Sequence, residues 1–216
     1  PYWGQLSISK VYGDNRELTH YIGIYEDITD AKLAQQRIER LAYTDNLTNL
    51  GNRPAFIRNL DQRFARNSTT QVCLLLVDID NFKRINDQFG HLAGDEVLRG
   101  FGRMLRTDIR AIDVPGRWGG EEFVVVLPSS TFFDAVTLAE HIRDHLEKFS
   151  FSFNSRVTVS IGVAACRATD TVEEWMQRAD MALYRAKIGG RNQVIVEDLD
   201  GSISNFICSP SSALRL

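Results

Sequence analysis

The sequence predicts an α+β fold, with one central, mostly antiparallel sheet flanked by helices. Three observations lead there. Segments of helical period and of strand period interleave along the chain. One pair of strand segments has a tight connection. Several helical segments run long, notably residues 95–109 and 132–149.

Composition bounds the function classes. The chain has 216 residues, with 25 Lys and Arg against 28 Asp and Glu, a net charge of −3. That length suits one domain plus a remnant, or two small domains. Hydrophobic residues at 44% supply a real core. The near-balanced charge argues against a nucleic-acid partner held by phosphate neutralisation. It leaves room for a local basic pocket that takes a small phosphate ligand. Cys73, Cys166 and Cys208 are scattered. They match neither zinc spacing nor a disulfide framework, which points to a reducing compartment. No apolar run approaches the roughly 18 residues of a membrane span, and no secretory signal opens the chain. A cytoplasmic location is the expectation, with an anchor upstream in the parent chain left open.

Each element has its own justification. Residues 5–12 and 20–26 read as two strands joined at the turn Asp14-Asn15, a hairpin. A lone hairpin is marginally stable, so residues 1–29 read as the end of a domain whose front part is missing. In residues 30–43, Leu33, Ile38 and Leu41 sit among Gln, Arg and Glu. This is a charged amphipathic linker helix, capped at Asp30 or Thr29. Its spacing suggests a parallel helix pair; a single solvated helix is the alternative. Residues 45–53 form a polar, turn-rich lead-in. A helix over 54–66 follows, with Pro54 near its first position. The continuous apolar run Val72–Ile79 is a buried strand. Residues 95–109 place Val97, Leu98, Phe101, Leu105 and Ile109 on one helical face. Residues 123–127 are a second buried strand after a glycine turn. The helix 132–149 carries Val136, Ala139, Ile142 and Leu146, and residues 157–164 alternate as a strand. Thr171 and Glu174 form a capping box for a helix to about Lys187, ended by Gly189-Gly190. Residues 193–197 are a last short strand. The Ser-rich tail 199–216 reads as loosely ordered.

Three clusters carry chemistry. The first is Asp78-Ile79-Asp80-Asn81-Phe82-Lys83, at the end of the buried strand. An acid there is costly unless paired or bound to a cation. Asp78 and Asp80, two apart, share a strand face and repel unless neutralised; oxygen ligands favour Mg²⁺ or Mn²⁺. Acids that simply face water are the bland alternative. The second cluster is Arg117-Trp118-Gly119-Gly120-Glu121-Glu122-Phe123, a glycine turn that sets two acids on a hairpin tip beside the first strand. The third is Lys187 and Arg191, flanking a helix end where cations also suit the helix dipole. With Lys83 they balance a triphosphate. Between the first two clusters lie Asn86, His91 and Asp95. An amide and a carboxylate suit the edge of guanine. Equally, Asn86 caps a turn and Asp95 opens the next helix. His91 is a turn residue, a cap neighbour or a ligand contact, and local physics does not choose.

The combination resembles the GGDEF family of diguanylate cyclases. The resemblance runs from Asp45-Asn46-Leu47-Thr48 and Asn52-Arg53, through DIDNFKRINDQFGHLAGDEVL, RWGGEEF and VTVSIGVA, to ADMALYRAKIGGRNQV. It covers residues 44–198, and the signature turn is the Gly-Gly-Glu-Glu-Phe variant. The stretch Trp3-Gly4, Tyr21-Ile22-Gly23-Ile24 and Glu26-Asp27-Ile28-Thr29 resembles the closing strands of a PAS sensor domain. The first resemblance implies a palm-like nucleotide-cyclase fold with a ferredoxin-like core. It also implies condensation of two GTP into cyclic di-GMP at the interface of a homodimer. Implied roles follow. Asp78, the Ile79 carbonyl and Glu121 ligate Mg²⁺, and Asp80 assists them or holds a second ion. Glu121 or Glu122 accepts the proton of the attacking hydroxyl. Asn86 and Asp95 read guanine, with His91 a weaker contact. Lys83, Lys187, Arg191 and the backbone at Asn81 and Phe82 hold phosphates, and Lys83 also has a catalytic role, stabilising the charge that develops in the transition state. Arg110 and Asp113 match the family's Arg-x-x-Asp product-inhibition site; a surface ion pair is the alternative. A further Arg of that site has no clear counterpart, since the corresponding helix carries His141 and Arg143. Against an active cyclase stands a catalytically silent receptor for GTP or cyclic di-GMP. An adenine-specific cyclase is a weaker third.

Overall fold

The computed structural model describes residues 2–64, 71–167, 169–197 and 203–204. The chain divides into two compact units, residues 1–42 and 43–216.

In the first unit, β1 (Gly4–Tyr12) and β2 (Leu18–Asp27) pair antiparallel. Helix α1 (Thr29–Tyr43) follows and buries none of its residues. Its entry differs from the expected cap at Asp30 or Thr29. The Asp27 carboxylate accepts the Thr29 N–H at 2.9 Å, and the Thr29 hydroxyl accepts the Trp3 N–H at 2.9 Å. A residue two positions earlier thus satisfies an orphan helix donor, and the Thr29 hydroxyl ties the strand start to the helix.

The second unit runs α2 (Arg53–Phe64), β3 (Val72–Ile79), α3 (Phe82–Phe89), α4 (His91–Asp108), β4 (Val114–Gly119), β5 (Glu122–Pro128), α5 (Phe132–Lys148), β6 (Val159–Ala165), α6 (Val172–Ile188), β7 (Val194–Glu197) and β8 (Ile203–Ser204). The sheet order is β4-β5-β3-β6-β7-β8, antiparallel at every pairing except β6 with β7. This is the α+β, palm-like arrangement. The β3 run is apolar on both sides because both sheet faces are covered. Leu75, Val77 and Ile79 pack with Phe101 and Leu105 of α4 and Ile142 and Leu146 of α5. Leu74 and Leu76 pack with Phe56 and Leu60 of α2 and Trp175, Ala179 and Leu183 of α6.

The sheet also explains where the sequence pattern misled. The alternation in 157–164 suggested a strand with two unlike faces, yet every residue of β6 is buried. Its small residues Ser160 and Gly162 lie inward, beneath α6, rather than toward water. Helix α3 was not foreseen, because its eight residues bury only Ile85. Helix α4 starts at His91, four residues before the expected start, with Gly90 (φ +84°) as the joint. Strand β4 was also unread. The Thr171–Glu174 capping box is present, and Thr131–Asp134 forms a second. The expected looseness of the tail falls largely outside the described residues; Ile203–Ser204 pairs with β7. Cys73 and Cys166 are free thiols, and burial pushes Cys73 up to about 12. Cys208 lies outside the described residues.

Candidate active site

Strand β3 delivers Asp78 to the end of the sheet, beside the β4–β5 hairpin. In the β3–β5 register Asp78 stands opposite Glu122, and the Ile79 N–H donates to the Glu121 carbonyl at 3.3 Å. The signature acids are therefore brought to the first acidic cluster by sheet pairing. Glu121 sits in the turn and Glu122 opens β5. Glu122 also lines a cavity of about 450 Å³ with Trp118, Asp180 and Leu183. Asp78 is buried. Burial pushes its carboxyl up, Lys187 pulls it back by hydrogen bond and charge, and Glu121 and Glu122 push it up again. The net result lies above the ordinary carboxylate value. Lys187 Nζ stands 2.7 Å from Asp78 Oδ2. A buried carboxylate crowded by two glutamates is an all-oxygen donor set that suits a hard divalent cation.

The other acid of that cluster does a different job. Asp80 Oδ2 accepts from the Thr158 hydroxyl at 2.7 Å and the Asn192 N–H at 3.0 Å, and Oδ1 accepts from the Ser160 hydroxyl at 2.6 Å. Both oxygens are engaged, and the residue is 4% exposed. Asp80, expected to assist the metal ligands or hold a second ion, here joins β3 to β6 and to the glycine turn after α6. Two carboxylates on one strand face were expected to need a cation; hydroxyl and amide donors stabilise the second one here.

Helices α3 and α4 carry the two residues expected to read a base. Asn86 lies inside α3 and Asp95 in the second turn of α4, so neither caps a turn nor opens a helix. The two helices approach at Gly94, where an added Cβ would stand 2.0 Å from Asn86 Oδ1. Asp95 pairs with Arg99 at 3.1 Å on its own helix. His91 is exposed at the start of α4.

At the start of α3 the backbone takes an unusual turn. Asn81 adopts a left-handed backbone (φ 55°) immediately before the helix, without a side-chain cap. A left-handed residue followed by helix turns successive N–H groups toward one point, a nest for anions. A cavity of about 480 Å³ is lined by Asn81, Lys83, Arg84, Asp87 and Gln88. It brings in Arg84, a cation that sequence reasoning passed over. Arg191 is exposed beyond the end of α6, with its N–H donated to the Ala186 carbonyl.

Sequence reasoning also missed the clamp on the signature turn. Arg117 donates to the Gly120 carbonyl at 2.7 and 2.9 Å and to both Asp45 oxygens at 3.1 and 3.2 Å. Asp45 in turn accepts from the Thr48 hydroxyl and N–H. Burial alone would raise the Asp45 carboxyl, but the Thr48 bonds and Arg117 outweigh it and hold it below the usual range. The available signal was the Asp in the lead-in motif together with the Arg ahead of the glycines.

Arg110 and Asp113 meet, but chiefly each other. The Asp113 carboxylate accepts from the Arg110 N–H at 2.8 Å and from its guanidinium at 3.0 and 3.2 Å. The Asp113 side chain is out of solvent, whereas half of Arg110 remains exposed. Ser130 and the Pro128 carbonyl also accept from Arg110. Asp113 thereby holds the Arg110 side chain in place, because a buried carboxylate is satisfied by the nearest guanidinium. On α5, Arg143 is committed to Glu140, Glu147 and Asn192.

Comparison with known proteins supplies the family. The family model described as "Diguanylate cyclase, GGDEF domain" matches residues 42–193. The chain is 43% identical over 188 residues to diguanylate cyclase DgcM of Escherichia coli, covering 86% of this chain and 45% of that protein. It is 47% identical over 163 residues to response regulator PleD of Caulobacter vibrioides, covering 72% of this chain and 36% of that one. It thus spans less than half the length of these curated relatives. A crystal structure of the coiled coil and GGDEF domain of DgcB from Caulobacter crescentus, in complex with c-di-GMP, superposes with a TM-score of 0.75. The two sequences are 34% identical, with 78% of this chain and 93% of that one covered. An acidic strand end and a clamped glycine hairpin lie within the matched segment, residues 42–193, and the chain belongs to the GGDEF family of diguanylate cyclases.

Proposed function

We propose that this chain condenses two GTP into cyclic di-3′,5′-guanylate and releases two pyrophosphates, with the reaction centre between two copies. The observation that carries this reading is the register that sets Asp78 opposite Glu122 and ties Ile79 to Glu121. Asp78, the Ile79 carbonyl and Glu121 would hold Mg²⁺ or Mn²⁺, and such an ion would supply polarisation of the α-phosphorus and a lower pKa for the attacking hydroxyl. Asn86 and Asp95 bind guanine, with His91 at the rim. Lys83, Arg84 and the nest at Asn81 and Phe82 hold phosphate oxygens. Lys187 leaves Asp78 for a phosphate when the nucleotide arrives, and Arg191 joins it. The 3′-oxygen of one GTP bonds to the α-phosphorus of the other, and the bond to the β-phosphate oxygen breaks. Glu121 takes the hydroxyl proton, with Glu122 its nearest substitute. Repetition of this step with the roles exchanged closes the ring. Asp80 positions the strand end. Arg110, held by Asp113, contacts product at an inhibitory site. The hairpin and α1 are the end of a PAS-like sensor and the linker that pairs two copies. No described helix is long and apolar enough to cross a membrane, and we place the domain in the cytoplasm, where GTP is.

The test is chromatography of products from GTP and Mg²⁺, with the chain free and with a dimer enforced by cross-linking. Glu121→Gln should lower turnover by about 10²–10⁴ while GTP binding, read by calorimetry, persists. An enforced wild-type dimer that binds GTP yet forms no cyclic dinucleotide would overturn the reading and leave a silent receptor.

A further inference from the structure

We propose that Asp108, His141 and His145 form a binding site for a divalent transition metal of the zinc class, separate from the oxygen site of the signature acids. Asp108 is the last residue of α4, about 20 Å along the helix from Asp95 at 1.5 Å per residue. His141 and His145 are four residues apart on α5 and therefore share a face. The Asp108 side chain is only 5% exposed and is aimed at both rings. Its Oδ2 lies 2.7 Å from His145 Nδ1, and its Oδ1 lies 3.8 Å from His141 Nε2. One donor atom from each residue falls within 4.8 Å of the other two. Donors on a tetrahedral zinc, bound at about 2.0–2.1 Å, stand roughly 3.3 Å apart. Small side-chain rotations close that difference.

A hydrogen bond that merely docks α5 on the end of α4 accounts for Asp108 and His145. It does not include His141, whose 3.8 Å to Asp108 Oδ1 is too long for such a bond and is an ion pair only when the ring is protonated, while the ring still faces the same carboxylate. Arg143, which lies between the histidines in sequence, is turned to Glu140, Glu147 and Asn192. Two imidazoles and one carboxylate select zinc or its neighbours over Mg²⁺, which takes oxygen ligands. Three protein ligands leave a fourth position for water, and the 58% exposed His141 side chain gives an entry path. Binding requires neutral imidazoles, each with its metal-facing nitrogen free of hydrogen and its other ring nitrogen carrying it.

The experiment uses the whole chain with saturating Mg²⁺, which keeps the oxygen site occupied. Calorimetry with ZnCl₂ should find one equivalent bound. The Co²⁺ form should show the intense visible bands of four-coordination. His141→Ala removes a mostly exposed ring and should leave the fold intact by circular dichroism. It should weaken zinc binding by at least about tenfold, as should Asp108→Asn. Glu121→Gln should leave the zinc stoichiometry unchanged. No zinc bound by the wild type at large molar excess would overturn the proposal. So would equal binding by His141→Ala, or loss of the zinc in Glu121→Gln.

Discussion

Asp45 and Arg117 lie 72 residues apart in sequence and 3.1 Å apart in space. Their bond holds the signature turn in place before any ligand arrives. Removing the charge in Asp45→Asn should cost on the order of 1.5–3 kcal/mol at neutral pH, the range for hydrogen bonds to charged groups. The Asp45 carboxyl is held below its ordinary value in the folded chain. Its contribution is therefore complete above the unfolded value of about 3.9 and lost as pH falls through the depressed folded value. Urea unfolding of both forms at neutral and acid pH should show the gap closing in acid; a gap independent of pH would contradict the assignment. At Gly94 the consequence is for binding. Gly94→Ala would drive a methyl into Asn86 Oδ1. It should weaken GTP binding by roughly tenfold or more, the cost of losing one hydrogen bond to the base, about 1.4 kcal/mol. Isothermal calorimetry reads it. The identity of Asp78, Glu121, Asn86 and Lys83 as candidates was legible in residue type and spacing. The engagement of Asp80 and Asp113 was not, because it depends on donors from β6, the α6–β7 turn and a local guanidinium.

At the element scale, α6 lies against β6 only because residue 162 has no side chain. A Cβ there would meet the Ala179 carbonyl at 2.2 Å and the Leu183 N–H at 2.4 Å. These are backbone atoms and cannot rotate away. Gly162→Ala should cost about 3 kcal/mol, the upper end for overpacking, lower the unfolding midpoint, and shift Lys187 away from Asp78. A midpoint equal to wild type would show that α6 tolerates displacement. The long elements were legible in their periodicity: Val72–Ile79, the two capped helices and the glycine stop after α6. Helix α3 and strand β4 were not. Eight polar-rich residues with one buried side chain carry too little period, and β4 holds Pro115 and Gly116 inside a strand. Their places are decided by pairing with β5 and by packing on α4.

For the whole molecule, α1 leaves Leu33, Ile38 and Leu41 at 44%, 61% and 67% exposed. A stripe of aliphatic side chains on an otherwise charged helix suits pairing with a second copy. Replacing all three with Ser should lower the dimer fraction in ultracentrifugation and the rate of cyclic dinucleotide formation together. A demonstrated monomer with full activity would separate the two.

The sequence by itself determined the chemistry available: the acids, amides and cations, their order, and the apolar runs that must be buried. It also determined the family, since several long motifs stand in order. Only the tertiary structure decided which partners each acid meets. Asp78 and Asp80 look equivalent in sequence, yet Asp80 accepts from hydroxyl and amide donors while Asp78 pairs with Lys187. The physical reason is that a buried carboxylate must be satisfied by whatever donors the fold brings to it. Those donors come from segments about 80 to 110 residues away, which no local pattern records.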